Sequence, residues 1–286
     1  MSKTQPARMT VIRTEIVAPS MRRVVFGGAG FDEFFGRHIA LNGGAFTDEY
    51  VKLVFLVAGF DYPEPLDLAV VRETMPQAAW PVLRTYTVRW VDPEARELAI
   101  DFVVHGTGAA GGDGVAGPWA AHAQPGDTMH LRGPSGAYAP DPTADWHLFV
   151  GDEAGLPAIC AALEALPPGA QAVAFIEVGG PADEIALTTV AELDIHWLHR
   201  GEAAAGTTTL LDDALRTWEW REGRAQAFIH GESALLKSVR PYVLQDRQVA
   251  RPDVSVSAYW RRGTTEEGFR TWKSEQNDAV MRPGAS

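Results

Sequence analysis

The stretch Arg84-Thr85-Tyr86-Thr87-Val88-Arg89-Trp90 gathers two guanidinium groups, two threonine hydroxyls and two aromatic rings. Its alternation is that of a strand, with Tyr86, Val88 and Trp90 on one face and Thr85, Thr87 and Arg89 on the other. Arg84 shares the face of Tyr86. A flat, anionic cofactor would use such a set. An aromatic ring stacks on a ring system, Arg binds a pyrophosphate bidentately, and a hydroxyl meets a polar ring edge. An edge strand with exposed arginines and a half-buried tyrosine explains the same residues equally well.

Hydrolytic chemistry finds no support. The chain has no H-E-x-x-H, no paired C-x-x-C and no G-x-S-x-G sequence. His38, His122, His130, His147, His196, His199 and His230 lack metal-ligand spacing, so they read as surface or satisfied core histidines and no metal site is expected. The single cysteine, Cys160, follows Leu156 and Ile159 on a helical face and reads as a packing residue. "GTGAAG" (106–111) matches G-x-G-x-x-G, but no long apolar helix follows it, so a loop is expected there. Beyond it, Pro118 suits the first position of a short helix, and a helix start can hold a phosphate. An ordinary loop-to-helix turn is the simpler reading of that segment.

Two different scaffolds must position these residues. At 286 residues, 46% hydrophobic and 22% charged, the chain has length for two ordinary cores. A net charge of −12 argues against non-specific binding to nucleic acid or anionic lipid. No apolar run approaches ~18 residues, so no membrane span is expected. The start "MSKTQPARMTVIR" has no secretory pattern, and one cysteine fits a reducing compartment, so a cytoplasmic location and a monomer are expected.

The first half reads as six short strands cut by turns: "MTVIRTEIVA", "MRRVVFGG", "YVKLVFLV", "RTYTVRWV", "ELAIDFVVHG" and "TMHLRGPSG". That pattern predicts an antiparallel β-barrel, with the proline-rich segment 59–81 as an excursion from it. In the second half five nearly continuous apolar strands alternate with helices, which predicts a parallel five-stranded α/β sheet covered on both faces. The boundary is expected in "APDPTAD", giving domains 1–140 and 141–286. Thr264 and Glu267 have capping-box spacing for a final helix carrying Phe269 and Trp272.

In this order, "RTYTVRW", "DFVVHG", "GVAGPWAAHAQPGD", "GDEAGLPAI", "WLHRG" and "SAYWRRG" resemble the siderophore-interacting proteins. These are FAD-containing ferric-siderophore reductases of the ferredoxin–NADP reductase superfamily, and the resemblance runs from Met9 to Gly268. It implies that Tyr86 packs on the isoalloxazine, Thr87 meets its polar edge and Arg84 binds FAD phosphate. Asp101, Val103 and His105 match a D-x-V-x-H that lines the flavin, and in a strand the three share a face. Gly117, Pro118, Trp119 and Ala120 match a pyrophosphate-binding helix start. Gly151, Asp152 and Glu153 end the first parallel strand, where ligands of such sheets bind. Tyr259 and Trp260 end the fifth and either cover the flavin or fill the core.

The resemblance further implies transfer of electrons from NAD(P)H through FAD to the Fe(III) of a ferric siderophore. Lys52, Arg261 and Arg262 are expected to form a shallow basic patch for that substrate. Arg200, closing "WLHRG", favours NADPH by offering a guanidinium to a 2′-phosphate, whereas Glu177 favours NADH; reduced ferredoxin is a third donor. Two departures stand out: Ala154-Gly155 replaces the usual Thr-Ala, and Ser135 stands where many relatives carry a basic residue. A general flavin or quinone reductase and a non-catalytic flavin- or siderophore-binding module are the alternatives.

Overall fold

The structure, a computed structural model, describes residues 5–104, 114–264 and Gly268. His105, the glycines of 106–111 and the expected C-terminal helix lie outside the described residues. Six strands, β1 (Ala7–Ala18), β2 (Met21–Gly27), β3 (Tyr50–Phe55), β4 (Val82–Asp92), β5 (Glu97–Val103) and β6 (Thr128–Ser135), pair antiparallel. They close into a barrel of order β1-β2-β5-β4-β3-β6. Alternation decides what points inward: Met9 and Val11, Val51 and Leu53, Ile100 and Phe102, and Met129 and Leu131 share one interior cluster.

Helix α1 (Phe31–Ala40) adds Phe31 and Phe34 to that cluster. Helix α2 (Leu68–Thr74), inside the proline-rich excursion, is capped by Asp67, whose carboxylate accepts from Ala69 N at 2.8 Å. It buries Leu68 and Val71 against Val54 and Leu83 on the outer face of the barrel. Helix α3 (Ala116–His122) begins two residues before Pro118.

The second half forms a sheet of order β11-β10-β7-β8-β9, from β7 (Trp146–Asp152), β8 (Gln171–Val178), β9 (Glu192–His199), β10 (Ala225–Glu232) and β11 (Val254–Trp260). All neighbours are parallel. Every residue of β7 and β10 is buried, which is why these strands read as continuous apolar runs. α4 (Leu156–Glu164) covers one face, and α5 (Leu210–Thr217) and α6 (Ser233–Pro241) the other. The helix expected over 233–247 stops at Pro241, which has no amide hydrogen to donate, and a π-turn follows over Tyr242–Asp246. Strand order reverses on either side of β7, so the crevice between the C-terminal ends of β7 and β10 is the sheet's switch point.

The two halves meet where α4 packs on the outer face of β4. Arg89 there donates to both Glu164 oxygens at 2.8 and 2.5 Å. Beside it Arg23 donates to both oxygens of Asp101 at 2.7 and 2.8 Å. Cys160 lies buried among these charges, and burial pushes its thiol up to about 12, far from a reactive thiolate.

Candidate functional site

The faces of β4 explain its two arginines. Tyr86 and Val88 face the barrel cluster, and the Tyr86 ring lies 4.5 Å from Phe102, tilted by 35°. Arg84, on the same face, is half-buried and donates to the Leu83 carbonyl at 3.0 Å. Thr87 and Arg89 are buried on the outer face, toward the second domain. A register shift between Val88 and Trp90 breaks the simple alternation at the end of the motif.

Trp119 stacks on Phe26 at 6.1 Å with planes 4° apart and meets Phe55 edge-on. Together with buried Ala120 it pins α3 against the barrel. Gly117 and Pro118 therefore form a fixed first turn. A Cβ at Gly117 would stand 3.2 Å from the Val103 carbonyl, so glycine permits the close approach of α3 to β5.

The D-x-V-x-H segment sits differently. Val103 packs into the cluster beneath α4, and Asp101 is turned to Arg23. Both residues face the domain interface, and His105 lies outside the described residues.

At the ends of the parallel strands, Asp152 accepts four hydrogen bonds. Oδ1 takes Ala154 N at 2.9 Å and Gly155 N at 3.3 Å; Oδ2 takes Glu232 N at 2.9 Å and Trp260 Nε1 at 2.7 Å. Burial pushes its carboxyl up to about 6, with the charge of Glu153 adding to the effect and the donors opposing it. Trp260 thus fastens β11 to β7. Tyr259 points the other way: its phenol hydrogen-bonds Thr87 of the barrel, and its ring meets His230 edge-on at 5.0 Å. Burial raises that phenol. Gly151 and Gly155 lie against β10, and at 155 an added Cβ would collide with the His230 carbonyl oxygen.

Glu153 and Arg200 find each other, Oε1 to Nη2 at 2.5 Å, with side chains 6% and 10% exposed. Glu177 lies beside them; burial pushes its carboxyl up, and Thr208 Oγ1 donates to it at 2.6 Å. Arg200 is thus committed on one side to Glu153. Its buried Nη1 has no hydrogen-bond partner among the described residues.

Lys52 lies on the outer face of β3, opposite Thr85 of β4 and Arg132 of β6. Arg261 and Arg262 follow Trp260, and Arg262 N donates to Glu232 Oε1 at 3.0 Å. Sequence reasoning missed Arg132, although Met129 and Leu131 inside the barrel put it outside by alternation. It also missed Asp48, a buried carboxylate that accepts from Ala137 N and Tyr138 N at 2.8 Å each.

The closed barrel followed by a five-stranded parallel sheet is a ferredoxin–NADP reductase-like fold. The Plasmodium falciparum ferredoxin–NADP+ reductase shares this fold at 11% identity, with a TM-score of 0.61 over 90% of this chain and 98% of that one. Residues 10–138 match the siderophore-interacting FAD-binding domain and residues 144–263 the siderophore-interacting protein domain. The chain belongs to the siderophore-interacting protein family.

A Mycobacterium tuberculosis protein, Rv2895c, is 49% identical over 94% of this chain and 95% of its own length. The ferric vibriobactin reductase ViuB of Vibrio cholerae is 36% identical over 70% and 71%. The NADPH-dependent ferric-chelate reductase of Escherichia coli is 30% identical over 88% and 91%. Among solved structures, a siderophore utilization protein from T. fusca is 36% identical, with a TM-score of 0.73 over 90% of this chain and 93% of that one.

Proposed function

We propose that this protein reduces ferric siderophores, with electrons from NAD(P)H passing through FAD. The observation that carries the reading is the hydrogen bond between Thr87 and Tyr259, which brings the R-x-Y-T strand to the ligand-binding edge of the sheet. A donor bound at that edge and an acceptor at the barrel would then flank one place. The residues there fit FAD: the Tyr86 ring offers a stacking face, Arg84 a guanidinium on the same side, Thr87 a hydroxyl, and Gly117 a close turn without a side chain. Bound FAD supplies the conversion of two-electron to one-electron chemistry, which no side chain here offers. NAD(P)H gives up two electrons as hydride, so two Fe(III) chelates become Fe(II) per turnover with release of one proton. Oxygen ligands hold Fe(II) less well than Fe(III), so the metal is freed with the chelator intact.

The chain's own residues bind, orient and exclude water. Tyr86, Arg84 and the first turn of α3 hold the cofactor, Tyr259 covers its site from the sheet, and Asp152 with Trp260 fixes Tyr259 in place. No general acid or base is required. Domains 1–140 and 141–286, a cytoplasmic location and a monomeric state complete the proposal. No described helix is long and apolar enough to cross a membrane.

Purified protein should be yellow and release FAD on denaturation; a colourless preparation that takes up no added FAD overturns the reading. Stopped-flow mixing with NADH, NADPH and reduced ferredoxin separates a reductase from a binding module. Faster turnover with free flavin or quinone than with any ferric chelate would instead mark a general reductase. Arg84→Ala should weaken FAD by about 1.5–3 kcal/mol, roughly ten- to a hundredfold in Kd, read by recovery of flavin fluorescence.

NADPH is the proposed donor, in keeping with the name of the Escherichia coli relative. Arg200→Ala should weaken NADPH by about 1.5–3 kcal/mol and barely change NADH. Equal losses for both would make Arg200 a structural partner of Glu153 only.

A further inference from the structure

The proline-rich excursion 59–81 has no part in the machinery assigned so far, yet it builds a walled cavity. Helix α2 buries Leu68 and Val71 against Val54 and Leu83, which fixes it to the barrel. Tyr62 holds the returning chain: its hydroxyl accepts from Val57 N at 3.0 Å and donates to the Ala79 carbonyl at 2.7 Å. Ala79 is fully buried, and Trp80 N donates to the Gln77 carbonyl at 3.0 Å. The cavity between has a volume of about 310 Å³, at the lower end for small-molecule sites. Leu68, Arg72, Gln77, Trp80, Val82 and Leu83 line it.

Trp80 is the wall best suited to a ligand. Its side chain is 40% exposed although its backbone is held, and the Arg72 guanidinium lies over the ring, 6.0 Å from the centroid. Arg72 has no carboxylate partner among the described residues, so its charge is open to an anion. Gln77, also exposed, offers an amide donor and an acceptor. An open aromatic face, a cation and an amide suit a purine nucleotide, whose base stacks and whose phosphate is anionic.

The place of the cavity on β4 says which nucleotide. Val82, Arg84 and Tyr86 alternate onto one face in steps of roughly 7 Å, and Val82 and Tyr86 both pack on the interior cluster. The Arg84 guanidinium donates to the carbonyl of Leu83, a lining residue. Along the strand the order is therefore cavity, phosphate-binding arginine, flavin-stacking tyrosine. The parts of FAD follow the same order: adenosine, pyrophosphate, isoalloxazine. We propose that the Trp80 cavity holds the adenine of FAD and makes the barrel select FAD over FMN. The proposal rests on the flavin reading of the site and deepens it.

The test is a fluorescence titration of the full-length chain, stripped of flavin, with FAD and with FMN. Wild type should bind FAD more tightly than FMN, which ends at a single phosphate. Trp80→Ala should weaken FAD about tenfold, the scale of one lost base–aromatic stack, and leave FMN as it was. Trp80→Phe should restore much of the loss. The affinity of the FAD-loaded protein for NADPH should be the same in wild type and Trp80→Ala. No preference of wild type for FAD, equal losses for FAD and FMN, an unchanged FAD affinity in Trp80→Ala, or a loss confined to NADPH overturns the proposal. ADP, followed by titration calorimetry, separates the two readings. If wild type takes up neither flavin but binds ADP, and Trp80→Ala loses it, the flavin reading fails and the purine site stands. If ADP does not bind either, both fail.

Discussion

Asp101→Ala is expected to destabilise the protein by about 3–5 kcal/mol, the range for removing one partner of a buried ion pair. The Asp101 side chain is 1% exposed and holds Arg23 through two short hydrogen bonds. Without the carboxylate, Arg23 remains largely buried beside Arg89, whose like charge already acts against it. The α4 interface would then hold two cations, with Glu164 paired to Arg89 and Arg23 deprived of its carboxylate partner. Denaturant unfolding, followed separately by barrel and sheet probes because two domains need not unfold together, measures the loss. Replacing both partners by apolar residues, Arg23→Met with Asp101→Leu, should recover most of it, since a well-packed apolar pair often equals a buried ion pair. FAD binding provides the contrary result. If Asp101→Ala leaves stability within about 1 kcal/mol but abolishes flavin uptake, Asp101 serves the cofactor, as the family resemblance implies, and its pairing with Arg23 is incidental.

That contrast shows what the sequence could and could not disclose. The barrel and the parallel sheet were legible because hydrophobic periods of two, and then apolar runs between helices, are local signals. Helices α1 and α5 were not read. α5 runs for only eight residues and buries only Leu211 and Leu215 of them, too short a stretch for a periodic signal to stand out. α1 places Phe31, Phe34 and Phe35 beside a glycine, a composition that suits a turn as well as a helix.

At the site, residue types were legible but their partners were not. Arg89 read only as one of the guanidinium groups that a flat, anionic cofactor or a solvent-facing edge strand could use. Glu164 lies 75 positions away, and only the docking of α4 on β4 joins them. Arg200 looked open to a phosphate, yet the turn after β7 delivers Glu153 to it. Asp152 and Trp260, both assigned to cofactor binding, are hydrogen-bonded to each other across the strand ends. In each case the missing information was a contact between distant segments, which alternation and spacing do not encode.

Asp152 leads to a second large effect, in pH. Its carboxyl is raised from an ordinary value of 3.8 to about 6, so between those values the folded state binds a proton that the unfolded chain does not. Stability linked to this group is therefore highest below about pH 4 and falls as pH rises through 6, the reverse of a salt-bridged carboxylate. A displacement of about two pKa units corresponds to roughly 3 kcal/mol across the window. The facing groups are the Glu153 carboxylate, which adds to the rise, and the Trp260 indole with the Glu232 and Gly155 amides, which oppose it. Asp152→Asn removes the titration. It keeps Oδ1 for Ala154 and Gly155 but turns an NH2 toward Glu232 N and Trp260 Nε1, leaving two donors unsatisfied at about 1–3 kcal/mol each. The variant should thus be less stable at pH 7, and the deficit should widen by up to about 3 kcal/mol at pH 4 as the wild type gains what the variant cannot. Urea unfolding of both proteins at pH 4, 5, 6 and 7 reads the difference, in which contributions from other titrating groups cancel. A wild-type advantage that instead shrinks on acidification would show that the four donors, not burial, govern Asp152.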